Sequence, residues 1–167
     1  IAAMQEVLKD SKYADLELVT IAYGDDLRDK STSETEGLLQ TYPELKCIVA
    51  PTTVGIAAAA KVVQDQGVAD KVKVTGLGLP SEMAEYIDSG TCPYMYLWNP
   101  IDVGYLAGQT LGALVTGTIT GAEGDQFSAG RLGDYTITAD PAGGTEVLLG
   151  PPFKFEPSNI ADWKDVY

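Results

Sequence analysis

Histidine is absent from the 167 residues, and with it go the commonest general base and the commonest metal ligand. That weighs against most zinc enzymes and against hydrolases built on a Ser–His pair. Cysteine is scarce: Cys47 and Cys92 have neither the spacing of a metal site nor a CxxC redox motif, so two buried free thiols are expected, with a pairing in an oxidising compartment as the alternative. Basic residues number 11 against 24 acidic ones, a formal charge of −13 that repels nucleic-acid phosphates and anionic lipid surfaces. Long apolar runs are missing too. Val54–Ala60 and Leu111–Val115 fall far short of the about 20 residues that a bilayer-spanning helix needs. No basic-then-apolar leader begins the chain, and Ile1, Met4, Val7 and Leu8 recur at helical spacing with no capping residue before them. The expectation is a chain that starts inside a helix, with at least a strand upstream.

What is present is 45% hydrophobic and 21% charged, the composition and length of one globular domain. After a helix ending near Tyr13, the run Leu16–Tyr23 reads as a strand closed by Gly24-Asp25-Asp26. Leu27–Thr41 reads as a helix with Leu38 and Leu39 inward, stopped by Pro43. The strand Cys47–Ala50, the helix Val54–Gln66 ended by Gly67 and the strand Val72–Gly76 follow. A helix Ser81–Ser89 with Ser81 as N-cap, ended by Gly90, leads to the strand Tyr94–Trp98. This alternation of strands and helices, with near-continuous apolar strands, predicts an α/β fold with a parallel sheet sandwiched by helices. Beyond Pro100 the helix Ile101–Val115 carries Gly104, Ala107, Gly108, Gly112 and Ala113 at close-packing positions. A Gly-rich stretch 118–133 precedes a hairpin of Tyr135–Thr138 and Glu146–Leu149, an extended tail Pro151–Phe155 and a short helix from Ser158-Asn159-Ile160.

Ligands of such folds bind at the carboxyl ends of the strands, which singles out three loops. Pro51-Thr52-Thr53 puts backbone N–H groups and two hydroxyls at a helix N-terminus that can hold a polar ligand; the bland alternative is that the threonines, Thr53 above all, cap the helix. Gly76-Leu77-Gly78-Leu79-Pro80 is not a phosphate loop; its glycines let the backbone approach either a ligand or a neighbouring element. Trp98-Asn99-Pro100 offers an indole face for the C–H side of a sugar and an amide for its hydroxyls, or else a core Trp with Asn99 satisfying loop backbone. Asp25, Asp26 and Asp29 lack the spacing of a calcium loop and read as a solvated turn. No metal site and no cofactor are expected. Nucleophilic catalysis has no support, because Ser31, Ser33 and Ser81 lack an activating partner and no nucleophile elbow occurs. An enzyme such as a small α/β hydrolase or reductase is therefore disfavoured.

The segments Tyr42–Ala60, Lys73–Pro80 and Leu97–Pro100, with Gly133–Ile137 and Val147–Pro152, resemble the type 1 periplasmic binding proteins of ABC sugar importers. The likeness is to their rhamnose-binding and autoinducer-2-binding branch. The resemblance implies a Rossmann-like lobe of a two-lobed, non-catalytic protein that closes on a monosaccharide and delivers it to permease subunits. It implies a C-terminal lobe over 1–97, a hinge crossing with a helix and hairpin associated with the N-terminal lobe over 98–149, and a crossover tail over 150–167. The ligand-binding positions it carries over are Pro51, Thr53 and Trp98 or Asn99; with Thr52, Gly78 and Leu79 these complete the candidate set. Where ribose-binding relatives have an acid, Gly78 stands, and Leu79-Pro80 suits a sugar bearing a methyl group, as rhamnose does. One lobe's loops alone would hold the sugar weakly or not at all. The implied location is periplasmic or extracellular, free or lipid-anchored. The same fold also serves as the effector domain of LacI-type regulators and as an autoinducer-2 receptor, the alternatives to a transport protein.

Overall fold

The computed structural model describes all 167 residues and contains two separate hydrophobic cores. The first is built on a sheet. Strand β1 (Cys47–Ala50) runs parallel to β2 (Lys73–Gly76) in the register Cys47↔Lys73 to Ala50↔Gly76. A parallel bridge from Leu77 to Tyr96 continues it to β3 (Met95–Leu97).

Helices α1 (Ala2–Val7), α2 (Arg28–Thr41), α3 (Thr53–Asp65) and α4 (Pro80–Asp88) are the α-helices before β3, and α3 and α4 supply most of the buried helical side chains of this core. Helix α3 packs hardest, with Ile56–Ala60, Val62 and Val63 all buried. Its four consecutive alanines let α2 and the sheet approach from different sides, and each fully buried Ile or Val contributes about 1.5–3 kcal/mol. Strand alternation puts Ile48, Ala50, Val74, Met95 and Leu97 toward these helices. Cys47, Val49 and Tyr96 face the other way and are exposed. The expectation of two buried thiols therefore fails for Cys47, whereas Cys92 is fully buried, and both are free.

Leu16–Tyr23, expected as a strand, joins no sheet: residues 17–23 form no backbone hydrogen bond within the chain. β-Propensity alone makes no ladder, because a strand's N–H and C=O groups need a neighbouring edge. The turn that follows is tight, with Asp25 and Asp26 at φ 52° and 56° and Asp25 paired to Lys30.

Helix α5 (Pro100–Val115) begins the second core, which buries Leu106, Ile119, Phe127, Ala129 and Ile137. The hairpin expected from residue 135 to 149 is differently paired. Strand β4 (Gln126–Ser128), inside the Gly-rich stretch, takes β5 (Asp134–Thr136) as its antiparallel partner, and β6 (Thr138–Ala139) takes β7 (Thr145–Glu146). The loop before β4 is organised by Asp125, whose Oδ2 accepts from the N–H groups of Thr120, Gly121 and Ala122 and from the Thr120 hydroxyl; these bonds hold its carboxyl below the usual range. The glycines of α5 do not lie at packed positions: a Cβ at Gly104, Gly108 or Gly112 would meet nothing within 4 Å. With Ile101, Leu111 and Val115, all more than 60% exposed, they form an uncovered, uncharged helix face.

The chain then returns to the first core. The tail forms β8 (Phe153–Phe155), antiparallel to β3 with Leu97↔Phe153 and Met95↔Phe155, and α6 (Ile160–Trp163) follows. Phe155 and Ile160 are buried among the residues of α3, α4 and β3. Trp163 packs 5.4 Å from Phe153, 5.8 Å from Phe155 and 5.6 Å from Tyr167, between ring centroids, fastening the end of the chain.

Candidate functional site

Because β1, β2 and β3 run parallel, the loops that follow them emerge on one edge of the sheet. Two ladder bonds carry the alignment past the strand ends: Leu77 N–H donates to Ala50 O at 3.0 Å, and Gly78 N–H to Tyr96 O at 3.2 Å. The topology thus brings Pro51–Thr53, Leu77–Leu79 and Trp98–Asn99 to a common edge. The N-termini of α3, α4 and α5 follow directly, each presenting partial positive charge and backbone N–H groups to that edge.

Within the first loop the cap is Thr52. Its hydroxyl accepts from Gly55 N–H at 3.0 Å, so Thr53, expected to do this, is instead the first helical residue, with its hydroxyl uncommitted. Pro51 is exposed beside it. Helix α4 likewise begins with Pro80 at its first position rather than with Ser81 as cap, as the fixed φ of proline favours.

The second loop explains its glycines by packing. Gly76 has φ 144°, and a Cβ there would stand 1.9 Å from Ala50 O. Gly78 is buried against Met95, Met83 and Ile56. Both close approaches are to neighbouring elements, and Gly78 has its N–H engaged. Leu79 is half-buried over this floor.

At the third loop, Asn99 Oδ1 caps α5, accepting from Ile101 N–H at 2.9 Å and Asp102 N–H at 3.4 Å. Its acceptor is spent and its amide N–H groups remain. Trp98 is 40% exposed, and its indole Nε1–H donates to Gly150 O at 2.7 Å. The ring keeps a free face but has no donor left for a ligand. Gly150 is the residue that sequence reasoning missed, since no local signal links it to Trp98 across 52 positions.

The seven candidate residues of this edge carry no side-chain charge. The closest ionised groups along the chain, Glu82 and Asp102, are paired with Arg28 at 3.3 Å and with Arg131 at 2.6 Å, and the Arg131 guanidinium lies 4.5 Å from the Tyr105 ring centroid. A neutral ligand with an apolar face and hydroxyl groups matches what remains available: indole face, amide donors, one threonine hydroxyl and a leucine. A groove of ≈ 470 Å³ between α5 and the β6–β7 hairpin is lined mainly by apolar side chains, Leu106, Leu111 and Val147 among them, and by none of the seven. No helix is long and apolar enough to cross a membrane.

Residues 1–119 match the family described as periplasmic binding protein domain. An ABC transporter solute-binding protein from Clostridium phytofermentans, solved with bound L-rhamnose, is 55% identical over 99% of this chain and 54% of its own, with a TM-score of 0.95. A sugar ABC transporter protein from Actinomyces odontolyticus is 41% identical over 96% of this chain and 50% of its own, with a TM-score of 0.78. The LsrB protein of Clostridium saccharobutylicum in complex with AI-2, 19% identical over 95% of this chain and 52% of its own, shares the fold at a TM-score of 0.79. The chain spans about half the length of these solved structures. It belongs to the periplasmic binding protein family, with the α/β fold of the type 1 branch, and the proteins it matches are solute-binding proteins rather than enzymes.

Proposed function

We propose that this member of the periplasmic binding protein family works in an extracytoplasmic solute-binding protein of an ABC sugar importer, which closes on a monosaccharide and delivers it to the permease. The preferred ligand is a 6-deoxy sugar of the L-rhamnose kind. The observation that carries this reading is the 55% identity over 99% of the chain to a solute-binding protein holding L-rhamnose.

The geometry supports the same ligand class. Trp98 offers its ring face to the C–H side of the sugar, and the Asn99 amide and Thr53 hydroxyl are free to bond its hydroxyls. Pro51 and Thr52 shape the loop that holds Thr53. Leu79 receives the C6 methyl, and Gly78, having no side chain, lets Met95 and Met83 complete an apolar floor beneath it. In this reading residues 1–97 form one lobe with β8 and α6 of the 150–167 tail, while 98–149 belong with a second lobe. The uncovered face of α5 supports that arrangement, since an apolar surface of this extent calls for a covering partner. Nothing favours the regulator alternative, and a charge of −13 suits a protein that does not meet DNA.

The test uses a chimera in which the matched part of the C. phytofermentans protein is replaced by this chain. Saturation-transfer NMR with L-rhamnose is expected to show the strongest transfer to the C6 methyl, reduced by Leu79→Asn. Absence of transfer to any rhamnose proton in a folded chimera overturns the reading.

A further inference from the structure

The two cores are joined by two crossings of the chain. One leaves β3 at Leu97, buried in the first core, and reaches Leu106, buried in the second. The other returns from Leu149, packed on the second core, to Phe155 in the first. No residue belongs to both cores. Such a pair of connections leaves the angle between the cores free unless something ties them together.

The hydrogen bond from Trp98 Nε1 to Gly150 O, at 2.7 Å, joins these two crossings, one residue past Leu97 on the first and one residue past Leu149 on the second. Trp98 stands between Leu97, the last residue of β3, and Asn99, the cap of α5, so it is itself the junction of the two cores. Gly150 has φ 122°, a backbone conformation that side-chain-bearing residues rarely adopt, and a Cβ there would meet nothing within 4 Å. Glycine is required at this position for its dihedral angle and not for space.

We propose that Trp98 is a clasp: its indole N–H holds the two crossings together and makes the two cores reorient as one body. On the proposed function, the same ring presents its exposed face to the sugar, so ligand and clasp meet on one side chain. This last link rests on that reading; the clasp itself is testable without sugar.

The experiment is 15N relaxation on the ligand-free 167-residue chain, with Trp98→Phe, which keeps an aromatic ring and removes the donor, and Gly150→Ala, which keeps the indole and strains the acceptor's backbone. Trp163→Phe assigns the Trp98 indole signal. In the unsubstituted chain the amides of both cores are expected to report one rotational correlation time, and the Trp98 indole N–H to exchange slowly with solvent. In Trp98→Phe and in Gly150→Ala the cores are expected to report two shorter, distinct times, with amide shifts inside each core unchanged. One common correlation time in either folded variant overturns the clasp. Should Trp98→Phe lose its fold, Gly150→Ala decides alone. Loss of sugar binding with the clasp intact, or the reverse, separates the two readings.

Discussion

A methyl group built on Gly78 would stand 2.4 Å from Met95 Sδ and 2.9 Å from Met83 Cγ. Both methionines are fully buried and neither can turn into solvent. Gly78→Ala is expected to destabilise the chain by about 1–3 kcal/mol through overpacking. Met95→Ala alone is expected to cost about 2–5 kcal/mol through the cavity it leaves. The double variant should cost clearly less than the sum, because the new methyl fills part of that cavity. Urea unfolding of the four proteins measures this, and strict additivity would contradict the packing.

Asn99 has two separable duties. Its Oδ1 caps α5, and on the proposed function its amide donors bond the sugar. Asn99→Asp keeps the cap oxygen and removes the donors, so thermal stability is expected to hold while affinity for rhamnose in the chimera falls at least tenfold, the equivalent of about 1.4 kcal/mol. Asn99→Ala should lose both, with a stability cost of about 1 kcal/mol. Equal sugar affinity in Asn99→Asp and the unsubstituted chimera would remove Asn99 from the site.

Cys92 gives the folded chain a pH dependence in the alkaline range. Burial pushes its thiol from the ordinary 9.0 up to about 12, against a smaller opposing effect of a backbone hydrogen bond with Tyr94. Between these values the unfolded chain releases the thiol proton and the folded chain keeps it, so stability falls as pH rises. The expected slope is about 1.4 kcal/mol per pH unit from this one group. Denaturant unfolding from pH 9 to 11, compared with Cys92→Ala, isolates it; identical slopes for the two proteins would contradict the burial. Alkylation should reach Cys47 first, slowly, since partial desolvation raises that thiol as well.

Much of the first core could be read along the chain. Strand β1 falls where its apolar run lies, and α3 where Ala57–Ala60 promise a helix that neighbours can approach closely. What escaped was non-local. The residues of β8 read as extended, but their pairing with β3 comes from 56 residues away in sequence, counting Leu97 to Phe153. β4 is three residues in a polar, Gly-rich stretch, and its strand character comes from β5 rather than from its own composition. Leu16–Tyr23 failed in the opposite sense, having every local mark of a strand and forming no ladder. Asn99 read as meeting sugar hydroxyls or loop backbone, and its cap of α5 is one form of the second; the three loops of the candidate site were legible in strand order alone. That the Trp98 N–H is taken was not, because Gly150 reaches it only through the fold.

The most direct test of the account is calorimetric titration of the chimera with L-rhamnose, D-ribose and AI-2. The account predicts that L-rhamnose binds most tightly and that Thr53→Val, which leaves the Thr52 cap in place, weakens it without lowering the melting temperature. A folded chimera that ignores L-rhamnose, or binds D-ribose or AI-2 in preference to it, would contradict the account.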